Sequence, residues 1–154
     1  MKVNLFLAFA ASGLLLAGSA SAQEKKIKRS DLPPAVEKTV AAQSQGATIR
    51  GFSTEKENGQ TLYEAEMTVN GHSKDISIAA DGSIVEIEEQ VALDSLSPEV
   101  KAGLEAKAGK GKILKVESLT KKDKLVAYEA KVDTNGKKSE VQVGPDGKPL
   151  DHEE

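Results

Sequence analysis

Cysteine is absent from this 154-residue chain. That excludes disulfides, thiol nucleophiles and thiolate metal sites. Tryptophan is absent too, and aromatic residues make up only 3%. Any core must therefore be aliphatic and modest. Histidine occurs twice: His72 follows Asn70-Gly71 in an expected hairpin turn and His152 sits in the acidic Asp151–Glu154 tail, places ill suited to a preorganised nucleophile and base. No catalytic residue, cofactor site or metal site follows from these positions. Excess positive charge is also lacking: the formal net charge is −3. Binding to nucleic acid through a dense cationic field is thereby disfavoured.

Long apolar runs are lacking beyond one. Lys2 precedes an apolar stretch from Leu5 to Ala17, and Ala20-Ser21-Ala22 has the small-x-small form of a signal-peptidase site. We expect residues 1–22 to be a signal peptide cleaved after Ala22, and the mature chain to be periplasmic or secreted. The run is short for a membrane span, and no cysteine follows it to carry a lipid, so no membrane span is expected after cleavage.

Repetition is the strongest positive signal. Tyr63-Glu64-Ala65-Glu66 and Tyr128-Glu129-Ala130-Lys131 lie sixty-five residues apart in matching surroundings. Each tyrosine is followed by Asn-Gly (Asn70-Gly71, Asn135-Gly136) and then Asp-Gly (Asp81-Gly82, Asp146-Gly147), with Ile76 and Ile78 matching Val141 and Val143 between them. Upstream, Leu32, Pro34, Val36, Val40 and Ile49 match Leu96, Pro98, Val100, Leu104 and Ile113. This is the pattern of an internal duplication.

Within each copy the periodicities predict a helix followed by four strands. Ser30-Asp31 and Ser97 offer N-cap oxygens, and Pro33-Pro34 and Pro98 suit a first helical turn. Val36 with Val40, and Val100 with Leu104, form narrow apolar stripes, and Gly46 and Gly109 can end the helices. Strict alternation follows. Tyr63, Ala65, Met67 and Val69 oppose Glu64, Glu66 and Thr68; Tyr128, Ala130 and Val132 oppose Glu129, Lys131 and Asp133. Asn-Gly demands a tight hairpin, since both residues tolerate positive φ. The expected fold class is α+β: two tandem αββββ repeats forming one antiparallel sheet with two helices packed on one face. The expected divisions are a flexible basic lead-in at 23–29, a first repeat at 30–93 and a second at 94–154. Between them Val91 and Leu93 keep the alternation of Val85 and Ile87, so a rigid junction is expected.

Leu32-Pro33-Pro34-Ala35-Val36, Tyr63-Glu64-Ala65-Glu66 and Asp81-Gly82-Ser83-Ile84, with looser counterparts in the second copy, resemble PepSY-like domains of exported bacterial proteins. Such domains are similar in fold to the beta-lactamase inhibitor protein. The resemblance covers about residues 30–154. It implies an extracytoplasmic, non-enzymatic binding or inhibitory module, and it carries no catalytic residues across. That inhibitor has disulfides and an aromatic-rich concave face, whereas this chain has neither cysteine nor tryptophan.

Charge is uneven. Residues 30–93 hold 4 basic and 11 acidic side chains, while residues 94–154 hold 12 of each. The sheet face away from the helices, with Glu64, Glu66, Thr68, Glu129, Lys131 and Asp133, is the candidate protein-contact face. Its partner would be another extracytoplasmic protein or peptide, such as an envelope peptidase, drawn in by charge. A different class of function is cation or ligand buffering through the acidic first half. The carboxylates for it would be Glu86, Glu88 and Glu89, or the Asp151–Glu154 tail, which the repeat places in different copies.

Overall fold

The computed structural model describes residues 24–57, 59–152 and 154. The expected signal peptide, the Asn58 half of one turn and Glu153 lie outside them. The described chain forms one sheet of eight antiparallel strands in sequence order, a meander with no crossover. The strands are β1 (Lys25–Ile27), β2 (Thr48–Glu57), β3 (Gln60–Val69), β4 (His72–Ala79), β5 (Ile84–Val91), β6 (Lys112–Lys121), β7 (Lys124–Thr134) and β8 (Lys137–Val143). Helix α1 (Pro34–Gln43) precedes β2, and α2 (Pro98–Ala108) precedes β6.

Narrow-striped helices of ten or eleven residues are weak alone and must lean on a flat apolar surface. Val36 and Val40 of α1 pack on Phe52, Ala65, Met67, Ile76 and Ile78. Val100 and Leu104 of α2 pack on Val116, Ala130, Val132 and Val143. Ile87 joins the first cluster and Val91 the second. Being four apart on one strand, they put both helices on the same side of the sheet. Tyr63 and Tyr128 are partly buried against these clusters, so the other face carries their neighbours.

Both Asn-Gly pairs form the hairpins expected of them, with φ of 50° and 86° at Asn70-Gly71 and 56° and 84° at Asn135-Gly136. At the junction β5 runs through Val91 and pairs with β6 from Glu86↔Lys121 to Val91↔Val116, joining the two halves into one sheet, but the expected alternation stops there, because Leu93 begins a 3₁₀ turn (Leu93–Ser95).

Three further expectations are corrected. The basic lead-in is not a loose arm over its whole length, because Lys25–Ile27 pair with Thr54–Phe52 as β1 and Ile27 packs on the first core. Ser30-Asp31 does not cap α1; these residues form a 3₁₀ turn, and Asp31 instead accepts a hydrogen bond from the Lys28 amide at 3.0 Å. Ser97 does cap α2, accepting from the Val100 amide at 3.3 Å. Finally, no fourth strand follows β8 among the described residues. Gly144 closes a tight turn on Lys148 (N to O, 2.8 Å), and Pro149, with no amide hydrogen, cannot join a ladder. Eight strands result because β1 supplies one that the second half lacks.

Candidate protein-contact face

Backbone alternation places Ser53 on β2, Glu64 and Glu66 on β3, Asp75 and Ser77 on β4, and Glu86, Glu88 and Gln90 on β5, all on the face away from the helices. Across the junction Lys115, Glu117, Leu119 and Lys121 of β6 continue it, then Glu129 and Lys131 of β7, then Glu140 and Gln142 of β8. No helix among the described residues covers this face. Yet Glu117 is only 1% exposed and Leu119 2%. Neighbouring side chains, rather than another layer, take them out of water.

Ion pairs stitch the strands together. Arg50 reaches Asp75 at 2.7 Å and Glu66 at 3.6 Å. Glu117 is held by Lys115 at 2.5 Å, by Lys131 at 3.6 Å, and by a hydrogen bond from Ser73 Oγ at 3.3 Å. Lys121 reaches Glu86 at 3.2 Å and Glu154 at 3.7 Å. The tail that the repeat set apart from Glu86 thus meets it through one lysine. The Glu154 amide also donates to Gln142 Oε1 at 2.9 Å.

Of the six residues expected to form the contact surface, Glu64 and Glu66 sit together on β3, and Glu129 and Lys131 on β7, with three strands between. At about 4.8 Å per strand these pairs lie roughly 19 Å apart. Thr68 pairs with Ser73 near the β3–β4 hairpin. Asp133 is occupied locally, accepting from the Gly136 amide at 2.8 Å. The six therefore mark the borders of the face rather than its centre. Its centre is a triad no spacing rule singles out: carboxylate oxygens of Asp75, Glu88 and Glu117 lie within 4.8 Å of one another.

Burial dominates the electrostatics. It pushes the carboxyls of Glu64, Asp75 and Glu129 above their usual range, although Ser53, Arg50 and Gln142 respectively work against it. Glu88 is pushed furthest, up to about 8, by burial first and then by the fields of Glu86, Glu117 and Glu129. Burial disfavours the Lys131 ammonium, but Glu117, Glu140, Glu129 and Glu88 outweigh it and hold its pKa high. Two triad members already bind protein cations, which occupy the place a metal ion's charge would take.

At the rim, Leu114 is the one large hydrophobic side chain left exposed among the described residues, at 47%. The register shifts between Ile113 and Lys115, and this bulge breaks the alternation that would otherwise orient Leu114. It borders a depression of about 250 Å³ with Lys131, Val132, Lys138, Ser139 and Glu140. His72 and His152 are both exposed and contribute nothing to the face. No described helix is long and apolar enough to cross a membrane.

Comparison with known proteins places the architecture. No family model matches the chain, and no curated protein sequence matches it significantly. Solved structures do match. A DUF2874 family protein from Bacteroides ovatus superposes with a TM-score of 0.59 at 22% identity, covering 78% of this chain and 86% of its own. A BLIP-like protein from Bacteroides fragilis gives 0.57 at 18% identity, covering 77% and 83%. A Bacteroides eggerthii protein provisionally described as periplasmic gives 0.62 at 17%, covering 77% and 86%. At these identities the likeness is one of fold. The chain has a BLIP-like α+β fold: one eight-stranded antiparallel sheet with two helices on one side.

Proposed function

We propose that the chain is an exported, non-enzymatic binding module that engages another extracytoplasmic protein or peptide through its uncovered sheet face. On this reading residues 1–22 are removed on export to the periplasm or beyond, and the mature chain is a tandem duplication of a PepSY-like unit. The observation that carries the reading is the face itself. It is wide, helix-free and ordered by cross-strand ion pairs, with exposed Leu114 as an apolar anchor beside charged Lys131, Lys138 and Glu140. Interfaces combine such an anchor with a polar surround. The provisional periplasmic description of one neighbour and the BLIP-like description of another agree with this reading. Inhibition or modulation of an envelope enzyme such as a peptidase is the finer form of the same proposal.

The test is affinity capture with the exported protein as bait in envelope extract of its own source, at low and high salt. One protein retained at low salt, weakened by salt and lost with Leu114→Glu and Glu66→Lys baits, supports the face as the contact surface. If that protein is a hydrolase, its activity with and without bait decides inhibition. Retention unaffected by both substitutions overturns the assignment of the face. Nothing retained, with a calcium- or zinc-dependent rise in melting temperature, would favour ion buffering instead.

A further inference from the structure

The centre of the open face has an unbalanced charge inventory. Glu88 on β5 faces Asp75 across β4 and the apolar wall of Leu119 across β6. Its own strand adds Glu86 and Gln90 on the same face, β6 adds Lys115, Glu117 and Lys121, β7 adds Glu129 and Lys131, and β3 adds Glu64 and Glu66. Every cation in that set, and Arg50 of β2 beside it, is committed elsewhere. Arg50 holds Asp75 and Glu66, Lys115 holds Glu117, Lys131 divides between Glu117 and Glu140, and Lys121 divides between Glu86 and Glu154. Among the described residues, Glu88 alone of the triad has no ion pair.

We propose that this face is proton-gated at Glu88: the triad holds three carboxyl groups but cations for only two, a proton neutralises the third, and a cationic group entering the face takes that proton's place. Three carboxylate oxygens within 4.8 Å, one on a buried residue and two on partly buried ones, cannot all carry charge cheaply. The fields and burial that push Glu88 up to about 8 leave it mostly protonated at pH 7. A lysine or arginine on a docking partner would supply the missing charge, ionise Glu88 and release one proton, so association would strengthen as pH rises toward about 8 and level off above it. The origin of that cation rests on the binding function proposed above. The proton does not, since it is a property of the free protein.

The test therefore needs no partner. Carbon-13-labelled glutamate carboxyls are titrated by NMR in the whole protein, alongside Glu88→Gln and Gln90→Lys. Gln90 stands opposite Glu117, so lysine there delivers an ammonium to the triad within the same chain. One carboxyl should titrate with a midpoint above 7, vanish in Glu88→Gln, and fall below 6 in Gln90→Lys. Wild-type melting temperature should drop between pH 6 and 9 by about 5 °C more than that of Glu88→Gln. A Glu88 midpoint below 6 in the wild type, parallel melting curves, or a midpoint unmoved by Gln90→Lys overturns the gate. A partner captured through a face whose Glu88 titrates normally would refute the gate and leave the binding function standing.

Discussion

Asp75 and Glu88 stand directly opposite each other on adjacent strands of the open face, but only Asp75 has a cation, Arg50 at 2.7 Å. Opposed like charges destabilise a sheet. Burial and the neighbouring carboxylates push the Glu88 carboxyl up to about 8, which eases that repulsion at lower pH. The stability of the whole fold inherits this arrangement.

Stability should fall as pH rises. Glu55, Glu64, Asp75, Glu88 and Glu129 all have folded-state pKa values raised above the ordinary carboxylate range, burial being the largest cause in each. The folded state then binds more protons than the unfolded state, so the stability they contribute is fully present below about 4.5 and lost as pH climbs toward 8. The groups shifted the other way, Glu37, Asp81, Asp94 and Asp146, are on the surface and screened. Urea midpoints should be higher at pH 5.5 than at pH 8.5.

Lys115→Met should be costly for its position. It strips a close cation from Glu117, which is 1% exposed, and leaves Lys131 and Ser73 to compensate. A loss of about 2 kcal/mol is expected by urea denaturation, with much of it recovered in the double variant Lys115→Met, Glu117→Leu. An unchanged double-variant deficit would show that Glu117 stabilises by packing instead.

Leu104→Ala should cost about 2–5 kcal/mol, because Leu104 is fully buried between α2 and the sheet. Lys107→Ala, at an exposed position of the same helix, should stay within about 0.5 kcal/mol. The comparison is read from urea unfolding at fixed pH.

Gly82→Ala should destabilise by more than about 1 kcal/mol. Gly82 has φ of +88°, and a methyl group there would lie 2.7 Å from the Ala35 carbonyl oxygen, while its own carbonyl accepts from Thr39 Oγ1 at 2.6 Å. The turn clamps the start of α1, so helix signal and melting temperature should fall together. Gly71→Ala, equally left-handed but open, should cost only the backbone strain.

Alternation and turn chemistry made most of the fold readable. Asn70-Gly71 and Asn135-Gly136 mark hairpins because few other pairs tolerate their dihedrals, and the Tyr63-to-Val69 alternation fixed which face meets the helix. β1 was not readable, since Lys25-Lys26-Ile27 is too short to show a period and gains its strand only by pairing with β2. The end of the second half misled for a related reason. Asp146-Gly147 resembles Asp81-Gly82, but Pro149 two residues on prevents a ladder. The face was legible through Glu64, Glu66, Glu129 and Lys131, whereas its centre was not. Residues 75, 88 and 117 meet only through the registers of β4 with β5 and β5 with β6, which no local pattern encodes. Leu114 escaped notice because a bulge, not alternation, orients it.

Carboxyl footprinting of the captured complex against the free protein tests the central claim most directly. If the open face is the contact surface, Glu66, Glu86 and Glu140 should lose labelling on complex formation, while Glu37, Glu99 and Glu105 on the helical side keep theirs. Protection of the helical carboxylates with Glu66, Glu86 and Glu140 unchanged would contradict the account and move the contact to the opposite side of the sheet.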